Sequence, residues 1–137
     1  VIDGVRFYND SKATNVDATL KALDAFGEEC PIVLLGGDDK GTDLAELVST
    51  SERHCKAVVC FGEAGPRFLA AYEGSELPHY EAGKLQDALN VAVAHAQSGD
   101  IVVLSPACAS FDEFSGFEER GRVFKRMVSE LPNKETA

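Results

Sequence analysis

The 137 residues contain no apolar run of membrane-spanning length and no signal-peptide pattern, which predicts a cytosolic chain with no membrane partner. Positive charge is scarce: 13 Lys and Arg stand against 23 Asp and Glu, a formal net charge of -10. A nucleic-acid backbone requires clustered cations, so no nucleic-acid partner is expected, and any anionic ligand would need cations gathered locally. Close-paired cysteines are also missing. Cys30, Cys55, Cys60 and Cys108 lie singly beside apolar residues and read as buried, reduced thiols. His54 beside Cys55 has no second cluster to complete a metal site, and it reads as a surface residue.

Several catalytic signatures are absent. The stretch Gly36 to Thr42 (GGDDKGT) invites comparison with a phosphate loop, but Lys40 precedes Gly41 and the Gly-x-x-x-x-Gly-Lys-Ser/Thr spacing fails. No dinucleotide Gly-x-Gly-x-x-Gly follows a strand. Ser105 to Ser110 (SPACAS) lacks the Gly-x-Ser-x-Gly frame of a nucleophile elbow, and Cys108 has no evident histidine partner. No catalytic residue and no metal ligand is therefore assigned.

What is present is an alternation of strands and helices in a chain of one-domain length with 45% hydrophobic residues. The alternating stretch Val5 to Tyr8 predicts a half-buried strand, and Ile32-Val33-Leu34-Leu35, Ala57 to Phe61 and Ile101 to Leu104 predict buried ones. A brief edge strand is expected at Pro78 to Tyr80. Between them, apolar residues at helical spacing mark helices at Val16-Leu20-Leu23-Phe26, Leu44-Leu47-Val48, Phe68-Leu69-Tyr72, with Pro66 in its first turn, and Leu85-Leu89-Val93. Phe117, Phe124, Val128 and Leu131 form the stripe of a last helix, and the tail from Pro132 frays. Thr14 with Asp17, Asp43 with Glu46, and Ser115 with Glu118 have capping-box spacing. The class is α/β: a mostly parallel sheet with helices on both faces, because parallel neighbours need crossover helices. The opening at Val1, with Asp3-Gly4 as a tight-turn signal for a hairpin, suggests a domain cut from a longer protein.

Ligands of such sheets gather at the carboxyl ends of the strands, where three polar turns fall: Asn9 to Asn15 (NDSKATN), Gly36 to Thr42, and Ser105 to Phe117 (SPACASFDEFSGF). In the first, Lys12 sits just ahead of a helix start, where a cation opposes the helix dipole unless an anion is near. Lys40 rides on the glycine-rich second turn. In the third, Ser110 and neighbouring N–H groups could accept a carboxylate, while Phe111, Phe114 and Phe117 read as core and loop packing.

Taken together, NDSKATN, GGDDKGTD and SPACASFDEFSGFEERG resemble, in order and spacing over essentially the whole chain, the C-terminal domain of the Mur ligases, of the D-glutamate-adding (MurD) type. Sibling ligases carry an Asp-Tyr-Ala-His type stretch where this chain has Asp10-Ser11-Lys12-Ala13. The resemblance implies a Rossmann-like domain of an ATP- and Mg²⁺-dependent ligase that joins D-glutamate to UDP-N-acetylmuramoyl-L-alanine in peptidoglycan precursor synthesis, through an acyl phosphate attacked by the D-glutamate amine. By matching motif positions, Thr14, Lys40, Ser110 and the Phe117 backbone would hold the carboxylates of D-glutamate. Asp10 would contact the ribose of the nucleotide, with Lys12 near its phosphates. The phosphate loop, the magnesium ligands and a carbamylated lysine would belong to a central domain and UDP recognition to an N-terminal one. The chain alone is then expected to fold without catalysing. A sibling ligase domain for another amino acid and a free-standing α/β binding module are the alternatives.

Overall fold

The computed structural model describes residues 4–38, 41–110 and 113–131. The expected hairpin at Val1 to Val5 and the fraying tail lie, in whole or in large part, outside these residues, as do Lys40 and Phe111.

Among the described residues ten elements alternate strictly: β1 (Arg6–Asn9), α1 (Val16–Phe26), β2 (Ile32–Gly36), α2 (Ala45–His54), β3 (Ala57–Phe61), α3 (Gly65–Ala71), β4 (His79–Glu81), α4 (Leu85–His95), β5 (Ile101–Leu104) and α5 (Phe117–Ser129). All strand pairings are parallel, in the order β1-β5-β2-β3-β4. The three central strands are buried throughout because both sheet faces are covered. Alternation still operates beneath the continuous apolar run. Val33 and Leu35 point into a core shared with Leu23, Leu47, Phe68 and Tyr72, whereas Ile32 and Leu34 point into one shared with Leu85, Leu89 and Phe124. Thus α1, α2 and α3 cover one face, and α4 and α5 the other. Tyr72, fully buried, meets the Ser51 hydroxyl at 2.8 Å, which satisfies the phenol that burial would otherwise orphan.

This topology positions the site. β5 enters last in the sheet yet lies between β1 and β2, so the three polar turns follow three adjacent strands. The chain leaves β1 toward α1 on one face and leaves β5 toward α5 on the other. The two connections diverge and open a crevice at a topological switch point.

Local chemistry shifts several expected boundaries. The first helix is capped by Asn15, not Thr14: Asn15 has extended backbone, and its Oδ1 accepts from Ala18 N at 2.9 Å. Asp43 does accept from Ala45 N at 3.0 Å, but Leu44 occupies the cap position of α2 and no capping box forms. At α5 the cap is Gly116, which has no side chain, and the Ser115 amide donates to Glu119 rather than pairing with Glu118. Phe117 departs from the expected stripe, since the residue is 40% exposed. Cys30 is exposed, with φ 51° in the turn before β2, while Cys55, Cys60 and Cys108 are buried. His54 is half-buried, its Nδ1 2.9 Å from the Gly27 carbonyl and its Nε2 3.4 Å from Asp24.

Candidate functional site

The three turns are laced to one another by backbone hydrogen bonds. Asp10 N donates to Leu104 O at 2.8 Å and Ala107 N to Ala13 O at 3.0 Å, joining the first turn to the third. Gly36 N donates to Pro106 O at 3.0 Å and Asp38 N to Ala109 O at 2.8 Å, joining the second to the third. Close backbone approach, to β3 at Gly36 and to the third turn at Gly37, explains the glycine pair. A Cβ on Gly36 (φ 148°) would lie 1.9 Å from Phe61 O, and one on Gly37 (φ 131°) would lie 2.4 Å from Ala109 O.

Thr14 and Ser110 each adjoin a residue that makes one of these inter-turn bonds, Ala13 and Ala109 respectively. Lys40 follows Asp38 by two residues and lies outside the described positions. Thr14 is half-buried and Lys12 exposed. Asp10 is half-buried, and its Oδ2 accepts from the Ser105 hydroxyl at 3.0 Å. Ser105 is itself set by Thr19, whose Oγ1 donates to Ser105 O at 3.0 Å. Ser110 is 2% exposed, and its carbonyl accepts from Glu113 N at 3.1 Å and Phe114 N at 2.7 Å. Its hydroxyl has no hydrogen-bond partner among the described residues. An unpartnered buried hydroxyl is costly, on the order of 1–3 kcal/mol, and a ligand acceptor would satisfy it. The Phe117 carbonyl is taken by the Ser11 hydroxyl at 2.7 Å. What its backbone can offer an anion is therefore the amide, which opens a helix without a side-chain cap.

Sequence reasoning missed the group that locks the crevice. Arg120, on α5, is 1% exposed. Its Nε donates to Ser11 Oγ at 2.9 Å, Nη2 to Ser11 O at 2.6 Å and Nη1 to Cys108 O at 3.0 Å. It also reaches the second turn, since its Nη1 would lie 3.3 Å from a Cβ on Gly37. One guanidinium thus bonds the first turn to the third and lies close beside the second. Asn9 adds a second tie: its Oδ1 accepts from Ser11 N at 3.1 Å, and its Nδ2 donates to Gly121 O at 3.2 Å. A signal was available, because Arg120 stands three residues after Phe117 and four before Phe124, on the buried face of the helix. Between the first turn and α5 lies an open cavity of about 300 Å³ whose lining includes Lys12, Arg122, Lys125, Ser11, Phe117 and Glu118.

Comparison with known proteins decides the family. Residues 1–108 match the model of the Mur ligase, glutamate ligase domain. The chain belongs to that family. A Chlamydia abortus protein named UDP-N-acetylmuramoylalanine–D-glutamate ligase is 47% identical over 94% of this chain. A Bacillus cytotoxicus protein of the same name is 47% identical over 92% of it. The chain spans 30% of the first protein's length and 28% of the second's. Among solved structures, a Haemophilus ducreyi domain described as from a UDP-N-acetylmuramate:L-alanyl-gamma-D-glutamyl-medo-diaminopimelate ligase superposes with TM-score 0.63 at 15% identity, covering 96% of this chain and 95% of that one. A Mycobacterium tuberculosis folylpolyglutamate synthase, complexed with ADP, superposes with TM-score 0.54 at 12% identity over 88% of this chain and 29% of its own. At such identities the likeness establishes the α/β fold of the Mur ligase domain and nothing finer.

Proposed function

We propose that this Mur ligase domain is the D-glutamate-binding and cleft-closing part of an ATP-dependent ligase that adds D-glutamate to UDP-N-acetylmuramoyl-L-alanine. The observation that carries the reading is the Ser110 hydroxyl, buried and unpartnered on the turn that is hydrogen-bonded to both others. The names of the relatives supply the amino acid. A dicarboxylate needs fixed donors on more than one side, and Thr14, Ser110 and the Phe117 amide lie on or beside three segments that the Arg120 guanidinium holds together. Lys40, by its motif position, adds the cation that an acidic chain must place locally.

Asp10 and Lys12 fit a nucleotide: a carboxylate set by Ser105 can accept from ribose hydroxyls, and an exposed lysine can meet phosphate. ATP would supply the phosphoryl group that activates the acceptor carboxylate. Mg²⁺ would be held chiefly by the central domain that the resemblance implies. This domain then contributes position and electrostatics, not a covalent nucleophile. The central and N-terminal domains of the same chain, in the bacterial cytoplasm, complete the enzyme.

Ser110→Ala in the full-length ligase tests the reading. Loss of one hydrogen bond to a charged ligand, worth ~1.5–3 kcal/mol, raises KM for D-glutamate by roughly tenfold or more, with KM for ATP unchanged. The same change leaves thermal stability unaltered or raised, because the hydroxyl has no partner to lose. An unchanged KM for D-glutamate overturns the assignment of Ser110.

A further inference from the structure

The roles proposed for Asp10 and Lys12 leave the outer face of α5 unexplained, although it brings two more cations to the cavity that Lys12 lines. Arg122 and Lys125 are three residues apart on that helix, hence on one face, and both are exposed. Two other cations are paired, Lys56 with Asp100 and Arg126 with Glu130. None of Lys12, Arg122 and Lys125 pairs with a carboxylate among the described residues. In a chain of net charge -10, carboxylates to neutralise them are plentiful. Three unpaired cations about one concavity, against the single carboxylate of Glu118, leave a local positive potential where the molecule as a whole is negative.

The walls are hydrogen-bonded to one another. Ser11 is fixed by Arg120 and by the Phe117 carbonyl, and Asn9 ties the first turn to Gly121. A side chain at Gly121 would crowd the cavity floor, its Cβ 3.0 Å from Asn9 Nδ2 and 3.3 Å from Ser11 Cβ. A volume of about 300 Å³ equals about ten waters at ~30 Å³ each, room for a polyatomic anion.

We infer that Lys12, Arg122 and Lys125 form a phosphate-chain site, in which α5 supplies two of the three cations that meet the polyphosphate of a nucleotide from this domain's side of the cleft. The nucleotide rests on the function proposed above; the anion site does not. Phosphate oxyanions suit three separated cations better than a carboxylate does, because charge is spread over several oxygens along the chain.

The test is an amide-resolved NMR titration of the 137-residue chain with sodium tripolyphosphate. Saturable shifts are expected at Ser11, Lys12, Gly121 and Arg122. The Arg122→Gln/Lys125→Gln variant, altered only at exposed positions, should bind about tenfold more weakly. A Lys21→Gln/Arg53→Gln variant loses the same charge from helices that do not line the cavity and should bind as the parent does. Equal weakening in both variants, or shifts that avoid the cavity, would overturn the site by reducing it to net charge. ATP and UDP arms distinguish the donors, with ATP expected to be the tighter; the reverse order refutes ATP as the occupant. D-Glutamate, titrated separately, should move amides near Thr14 and Ser110 instead. Its failure to do so beside an intact tripolyphosphate response counts against the D-glutamate reading and not against this site.

Discussion

Replacing Arg120 with alanine is the sharpest perturbation the fold offers. The guanidinium is 1% exposed and donates to Ser11 Oγ, Ser11 O and Cys108 O, so truncation strands acceptors from two turns and leaves a void behind. Each buried acceptor left without a donor costs about 1–3 kcal/mol, so the truncation should cost about 3–5 kcal/mol, a large part of the ~5–15 kcal/mol by which domains are stable. For 137 residues at ~2.1 cal/mol/K each, the unfolding entropy is roughly 290 cal/mol/K, and the melting temperature should fall by about 10–17 °C. Circular dichroism on the isolated chain reads this directly. Arg120→Lys should recover only part of the loss, because an ammonium cannot reproduce a fork that meets both turns. Arg126→Ala, which removes an exposed pair with Glu130 at 3.8 Å, is the control and should change Tm by no more than about 2 °C. An Arg120→Ala melting point within about 4 °C of the parent would refute the idea that this side chain holds the crevice together.

Three further outcomes follow from local chemistry. Asn15→Ala should cost about 1 kcal/mol in denaturant unfolding and Thr14→Ala much less, since the cap hydrogen bond belongs to Asn15; the opposite order would restore Thr14 as the cap. Burial pushes the thiols of Cys55 and Cys60 up to about 12. Both states hold these protons below about pH 8, whereas at higher pH the unfolded chain alone releases them. Stability should therefore fall by ~1.4 kcal/mol per pH unit for each thiol between about pH 9 and 12, and urea titrations of a Cys55→Ala/Cys60→Ala variant should lack that slope. At pH 8 in native buffer one thiol per chain, the exposed Cys30, should react rapidly with a disulfide reagent; rapid reaction persisting in Cys30→Ser would contradict the burial of the other three.

The strands and helices were legible because their signals are local. Ile32 to Leu35 is too apolar for a one-sided strand and too short for a helix, and a sheet buried on both faces is the remaining solution. Cap positions were less legible, for a physical reason. Thr14 and Asn15 are both good cap formers, and only the backbone turn, where Thr14 N is drawn to Lys12 O at 2.8 Å, decides which of them presents its oxygen to the helix amides. Cys30 misled because apolar neighbours suggest burial, while the turn that carries it faces solvent.

Strand order was the piece the residues could not declare, and the site depends on it. Placing β5 between β1 and β2 turns three sequence-distant segments into neighbours. Once they are neighbours, hydrogen bonds such as Ala107 N to Ala13 O and Asp38 N to Ala109 O become possible, and a single buried arginine can span them. Arg120 lay on the apolar stripe of an evident helix, which by itself suggests either an error of period or a charge with a fixed partner. The partners are backbone carbonyls and Ser11, groups whose availability depends on how two turns fold against each other, so no spacing rule along the chain could have named them. The same dependence makes the crevice cooperative: α5, which carries Arg120 inward, also carries Arg122 and Lys125 to its rim. Displacing that helix must therefore disturb the turns that would bind an amino acid together with the cations that would bind phosphate.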